Sequence, residues 1–416
     1  MDKSQRGWIL AVCCILTSAT PAFSQNEDAL RLLNQTGQPQ IVRILDNDSP
    51  TFSSGTKSSA VAFRSGVVLR LSEWKTTAAR LKATKAFSTV ALELDSSLEG
   101  KTYDAIVRTS NKSNSAGAFM FGVLKGLPIK TSYLDIWNIA GSSIQWTSKY
   151  RWAATRRRAE GQLLIPVPSP GLLFLELGGV WRSEQWDIPS RGRSQYKSLG
   201  VRLNLKHIPD HRLELGAGLE YLSRAAGDTG KVLVNARFRP VDGTFKSQIR
   251  VDSFLARASG TTVQLANRLV VSEDRSAFLD VSLQGGTTRG PLPIQDYFML
   301  GLDGETVDPL RAHVAAHQGR YGRGPMGTAF VLVNSDIEHR LAVLPVSNNA
   351  SIHGELFFDA AKVFDRNRIF EQRGWLFDVG MAARVQLSDV DVVVLYGRNL
   401  SEGKGVLTAY IERRFW

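Results

Sequence analysis

The sequence predicts an all-β transmembrane barrel of about 16 antiparallel strands, preceded by a small α+β domain. Three observations carry this. From about residue 115 onward, apolar and polar residues alternate with period two, as strands with one buried face do. The alternating segments run to roughly 9 to 13 residues, the length of a tilted membrane-crossing strand and longer than the strands of most soluble sheets. The polar face carries charges of both signs, which suits a water-filled lumen better than the outside of a soluble sandwich. Composition agrees. With 43% hydrophobic and 22% charged residues among 416, the chain is neither disordered nor collagen-like nor a coiled coil. After the first 24 residues no apolar run reaches 18, so no transmembrane helix is expected.

The chain opens with an export leader. Lys3 and Arg6 form a positive segment, Trp8 to Leu16 an apolar core, and Ala22-Phe23-Ser24 a small-x-small cleavage site. Residues 1–24 are therefore expected to be a signal peptide, with maturation at Gln25. Both cysteines, Cys13 and Cys14, fall in the leader, so the remainder can form neither a disulfide framework nor a thiolate zinc site. Bulky Val12 before Cys13, and an apolar run continuing past it, argue against a lipoprotein.

Residues 25–38 are expected to be a linker and 39–113 a separate α+β module. Gln40 to Leu45 is a short strand candidate. A helix is expected from about Glu73 to Ala83, where Trp74, Ala78 and Leu81 share a stripe. Val90, Leu92 and Leu94 then alternate, and Tyr103 to Val107 supplies a partner strand.

The barrel is expected over 114–416, with strands near 116–126, 131–139, 143–152, 158–167, 171–182, 196–206, 211–223, 231–239, 245–258, 261–272, 276–286, 327–342, 350–364, 374–388, 390–397 and 406–416. Short turns, such as Pro209-Asp210, Val241-Asp242-Gly243 and the stretch around Ser347-Asn348-Asn349, alternate with longer loops at 183–195, 287–326, 365–373 and 398–405. That alternation of short periplasmic turns and long outer loops is typical of bacterial barrels. The closing strand ends on Phe415-Trp416, a terminal aromatic of the kind exported barrels carry.

Two blocks of residues resemble a known family. Gly66 followed by Leu81-x-x-Thr84-x-x-Phe87-x-x-Val90-x-Leu92-x-Leu94 resembles a POTRA domain. Pro291-Leu292-Pro293-Ile294-Gln295-Asp296-Tyr297-Phe298-Met299-Leu300-Gly301 and Leu310-Arg311-Ala312-His313 resemble the sixth-loop region of the BamA/TamA superfamily, the bacterial surface antigen family. There Ala312 stands for Gly and His313 for an aromatic. Asn334-x-x-x-Glu338-x-Arg340 and Phe357-Phe358-Asp359-Ala360-Ala361 resemble its strand-twelve and strand-thirteen segments. The resemblance covers roughly residues 39–416. It implies an outer-membrane barrel with a periplasmic POTRA-like domain that assists insertion or translocation of unfolded outer-membrane or secreted polypeptides. No enzymatic activity and no cofactor are implied.

The resemblance also places a clamp. Glu338 and Asp359 lie on lumen faces of neighbouring strands, where two carboxylates repel unless a cation joins them. The planar fork of Arg311 can serve both. The alternative is that Glu338 and Asp359 face lumen water and pair with Arg340 or Arg384. By the same resemblance, strands 116–126 and 406–416 form a weak seam that a client strand can join, and Val90, Leu92 and Leu94 contact the client. A passive pore without client handling is the alternative function. Outer-membrane lipid, lipopolysaccharide and accessory periplasmic factors are further expected partners. Arg151, Trp152 and Arg156-Arg157-Arg158 form a basic cluster expected on an outer loop, where it either meets lipopolysaccharide phosphates or is simply a solvated loop; nucleic acid is not an expected partner. His313 and His317 have zinc-ligand spacing, but their Gly-rich surroundings disfavour the helix this spacing needs. No Gly-x-Ser-x-Gly elbow and no complete phosphate loop occur.

Overall fold

In a computed structural model, residues 40–412 are described, except 47–53, 97–101, 113, 115–118, 121–122, 124–129, 303–308 and the turn segments 140–142, 170, 190–191, 226, 242–244, 273–275, 345–349, 371–373 and 388–389. The expected signal peptide and linker lie outside the described residues, as does the closing pair Phe415-Trp416.

The N-terminal module runs β1 (Gln40–Asp46), α1 (Ser54–Ala60), α2 (Leu71–Ala83), β2 (Phe87–Ser96), β3 (Thr102–Asn111). Its sheet has the order β1-β3-β2, with β1 parallel and β2 antiparallel to β3. The start of α2 is fixed by Glu73, whose carboxylate accepts the Arg70 backbone N–H at 3.0 Å, satisfying an amide next to the first turn. The predicted stripe of Trp74, Ala78 and Leu81 is buried against Val90 and Leu92 of β2. α1 was not foreseen, because Ser-Gly-Thr-Lys-Ser-Ser-Ala has no apolar period to betray it.

Fifteen long strands build the barrel among the described residues. They are β4 (Thr131–Ile139), β5 (Ile144–Ala153), β6 (Arg156–Val167), β7 (Leu173–Ile188), β8 (Gly192–Asp210), β9 (Leu213–Arg224), β10 (Thr229–Val241), β11 (Phe245–Leu255), β12 (Ser259–Val270) and β13 (Ala277–Arg289). A long loop follows, holding the short strands β14 (Phe298–Met299), β15 (Gly301–Leu302), β16 (Leu310–Val314), β17 (Ala316–His317), β18 (Arg320–Tyr321) and β19 (Met326–Gly327). The ring resumes with β20 (Ala329–Val343), β21 (Ala350–Phe364), β22 (Leu376–Leu387), β23 (Val390–Asn399) and β24 (Gly405–Glu412). Each long strand is antiparallel to the next, and β24 returns beside β4 to close the ring.

The predicted alternation inverts that of a soluble protein. Leu199, Val201, Leu203 and Leu205 of β8 stand on the outside, exposed. The inward positions carry polar groups, such as Arg202 and Asn204 facing Glu220 and Glu176. Among the described residues no helix is long and apolar enough to cross a membrane.

Two expectations need correction. The expected loop 183–195 is mostly strand, because β7 and β8 continue in register up to Ile188 and Gly192. The expected first strand, 116–126, is helical at its described positions Phe119, Met120 and Val123. Phe119-Met120-Phe121 breaks period two, and Phe119 and Val123 are spaced four apart, as on one side of a helix. Asn114 is nonetheless tied to the Trp137 backbone and the Lys130 carbonyl to the Trp152 amide. These anchors lie at opposite ends of the barrel.

The module packs on one end of the barrel. Leu164, Leu172, Phe174 and Ile208 join the core formed by Trp74, Leu81 and Val90. The Arg80 guanidinium donates to the carbonyls of Ile208 at 2.9 Å and Pro209 at 2.8 Å. Burial pulls its pKa down, with Asp210 opposing.

Candidate functional site: a loop locked in the lumen

Loop 290–328 returns into the barrel. β16 lies against β15 so closely that a Cβ on Gly301 would meet the backbone of Ala315 and Val314 at 2.6 and 2.7 Å. Only glycine permits that approach. Leu300 and Leu310, both fully buried, pack with Phe330, Leu332 and Leu376 of the wall. This seats Arg311 beside β20 and β21.

Arg311 is 6% exposed. Its Nε and Nη2 fork onto Asp359, with Nε 3.1 and 3.0 Å from the two carboxylate oxygens. Its backbone N–H donates to Asp359 Oδ2 at 3.0 Å. Nη1 donates to Glu355 at 2.9 Å and to Asp336. The guanidinium carbon stands 4.1 Å from the centre of the Phe357 ring, a cation–π contact. Asp359, itself fully buried, also accepts from Asn334 Nδ2 at 2.9 Å. Burial works against the Arg311 charge, but Asp336, Asp359 and Glu355 more than reverse it and hold the guanidinium proton more firmly than usual.

The next two residues are held by β22 and β23. The Ala312 N–H donates to Asp378 Oδ2 at 2.7 Å. His313 Nδ1 lies 3.1 Å from the same oxygen, and its Nε2 lies 2.8 Å from Asn399 Nδ2. Asn399 Oδ1 accepts from the amides of Ser401 and Glu402, which turns its NH2 toward the histidine. With the Asn399 NH2 donating to Nε2, Nδ1 is left to face Asp378.

Of the three predicted clamp residues, the structure joins Arg311 and Asp359 and separates Glu338. Glu338 binds Arg268 Nη2 at 3.1 Å and lies 2.7 Å from His353 Nδ1. The strand-twelve carboxylate at Arg311 is Asp336, two residues earlier on the same face. The reason is register: Asn334, not Glu338, sits opposite Asp359. The alternative partner Arg384 does pair, with Glu355 at 2.8 Å. Asp336, Glu355, Asp378 and Asn399 were missed. The first two share a period-two face with Glu338 and Asp359, a signal available in the sequence; Asp378 and Asn399 had none. Val90 and Leu92, expected to contact a client, are buried beneath α2, with Leu94 packed against the same core. Outward from β2 point Ala91 and Glu93 instead.

Beside the clamp, Ile294, Tyr297, Met299 and Tyr321 of the loop pack with Trp186 of β7 and with Phe370, which follows β21. Across the lumen, below β5 to β8, a cavity of about 370 Å³ remains, lined by Arg158, Glu160, Arg182, Arg202 and Glu220.

The ring of antiparallel strands has solved counterparts. The structure aligns with CdiB from Escherichia coli (TM-score 0.64, 12% identity, 95% of this chain and 79% of that one). It aligns with CdiB from Acinetobacter baumannii (0.59, 14%, 91% and 74%). BamA from Haemophilus ducreyi lacking POTRA domains 1-3 gives 0.55 at 10% identity over 90% and 84%. This chain has the barrel fold of BamA and CdiB. No protein-family model and no curated protein matches its sequence.

Proposed function

We propose that this chain is an outer-membrane barrel that assists insertion or translocation of other polypeptides, with its N-terminal module in the periplasm as a POTRA-like domain. The sequence resemblance to the BamA/TamA superfamily implies such a role, and the fold shared with BamA and CdiB supports it.

One observation carries the mechanism. Among the described residues the ring closes between β4 and β24. Fourteen antiparallel steps separate them, so these two described strands run the same way, and parallel pairing is the weaker geometry per residue. We place the proposed seam at 131–139 rather than at the expected 116–126. Opening it exposes unpaired backbone donors and acceptors that a client strand satisfies by β-augmentation, folding without leaving polar backbone in lipid. The module offers a second edge, because among the described residues β2 pairs with β3 alone.

The test is a set of disulfides engineered across 131–139 and 405–412, with photo-crosslinkers at Ala91 and Glu93. Locked barrels should fold yet lose client handling, and client adducts should form at β2. Full activity in a verified locked form rejects the lateral seam. A passive pore is the second reading, favoured by the charged cavity that remains beside the loop; conductance with no client adduct at either position would select it.

A further inference from the structure

At the end of the barrel away from the module, one cross-strand row on the outer face reads Trp152, Arg157, Ser183, Lys197 across β5 to β8. The row beneath it reads Tyr150, Ala159, Trp181, Leu199, and below that lies the exposed apolar band of β8. Tyr150 and Trp152 stack with centroids 6.1 Å apart. Aromatic rows capping an apolar band mark the depth at which hydrocarbon gives way to headgroups. The cations of the upper row thus stand at phosphate depth.

The basic cluster seen in the sequence is split by the strand. Arg156 and Arg158 turn inward, Arg156 over the Tyr321 ring at 5.4 Å and Arg158 onto Glu160. Arg157 turns outward. Arg157 and Lys197 are exposed, and among the described residues neither has an ion-pair partner. One strand separates them, which sets their backbones about 10 Å apart at the usual ~4.8 Å strand spacing. Two long side chains can therefore close on a single anion from both sides. Between them lies Ser183, buried with its Oγ accepting from Gln195 Nε2 at 2.9 Å, so the two exposed cations flank a tied-down strand. The flat face of Trp152 beside the cations suits a sugar ring, which a simple phospholipid lacks. On the far side of the barrel, outward Lys362 sits among Phe364 and Trp375 at 5.4 and 6.0 Å, so a cation within the aromatic girdle recurs.

We propose that Trp152, Arg157 and Lys197 of this row bind the phosphate of a phosphorylated glycolipid of the lipid A class in the outer leaflet. This rests on the proposed orientation, with the module in the periplasm. The affinity itself does not, and the two are measured separately. Diphosphoryl lipid A, dephosphorylated lipid A and phosphatidylglycerol are titrated into the detergent-solubilised full chain and followed by native mass spectrometry. Each cation near an anionic lipid surface is worth roughly fivefold. The Arg157→Gln/Lys197→Gln double variant should therefore bind diphosphoryl lipid A about thirtyfold more weakly, with its heat-modifiable barrel mobility unchanged. Dephosphorylated lipid A should bind wild type and variant alike. Equal affinity of wild type and double variant for diphosphoryl lipid A overturns the site. Phosphatidylglycerol binding as tightly as lipid A overturns the glycolipid assignment in favour of a general anionic surface. Orientation is read from Glu402→Cys, in the turn at the same end. Labelling by an impermeant maleimide on intact cells supports an outward face; labelling only after lysis overturns the outer-leaflet location, even if lipid A binds in detergent.

Discussion

Replacing Arg311 by alanine should release the lumen loop while leaving the barrel closed. The guanidinium is the shared partner of three carboxylates, and their fates differ. Asp336 keeps 21% of its side chain exposed and recovers water. Glu355 keeps Arg384 at 2.8 Å. Asp359, fully buried, keeps only Asn334 Nδ2 and the residue-311 backbone N–H. Stripping one partner from a buried pair costs about 3–5 kcal/mol, and the donors Asp359 retains put the loss near the lower end, about 3 kcal/mol. That shifts the balance of docked to released loop by roughly two orders of magnitude. The assay is the rate of protease cleavage within 290–328 in detergent, read beside heat-modifiable mobility of the barrel. Arg311→Lys should restore docking only in part, since an ammonium lacks the fork that spans both oxygens of Asp359. In a double-mutant cycle with Asp359→Asn, the losses should fall short of additivity by about 2 kcal/mol. Additivity within roughly 0.5 kcal/mol would show that the two side chains do not interact and would refute the clamp.

Three further outcomes follow from the same geometry. Glu338→Gln should leave loop cleavage near wild type, because Glu338 serves Arg268 and His353 rather than Arg311; cleavage as fast as in Arg311→Ala would restore it to the clamp. Gly301→Val should free the loop as fully as Arg311→Ala, since its Cβ would lie within 2.6 Å of the Ala315 amide nitrogen, a backbone conflict no rotamer relieves; unchanged protease resistance would contradict the close approach. Arg80→Met keeps the aliphatic stem but loses two hydrogen bonds to barrel carbonyls, each charge-assisted and worth about 1.5–3 kcal/mol. Hydrogen exchange in 208–212 should rise while β20 to β23 stay protected, and unaltered exchange at the turn would argue against that anchor.

The barrel was legible because its physics is local. A strand with lipid on one side and lumen on the other must alternate along its whole length, and period two survives any sequence drift that keeps apolar residues outward. Fifteen of the expected strands therefore appear where the alternation placed them. The segment 116–126 failed for the same reason, since three consecutive apolar residues at Phe119 to Phe121 carry no alternation. Arg311 and Asp359 were found through residues resembling a family, not through a signal in composition. Asp336 against Glu338 could not be decided from the chain, because both lie on one face and only the Asn334–Asp359 register chooses between them.

The sequence by itself determined the strand content, the outward apolar faces, the apolar stripe of α2 and the long loop between β13 and β20, since each follows from residues near one another in the chain. The tertiary structure decided what touches across the ring: which carboxylates hold Arg311, that Asp378 and Asn399 hold His313, that Val90 and Leu92 face α2, and that β24 closes on β4. Within the lumen these contacts join residues as far apart as His313 and Asn399, and the closure joins β4 to β24 across most of the chain. They depend on register and on the ring closing, which no periodicity along a single strand can specify.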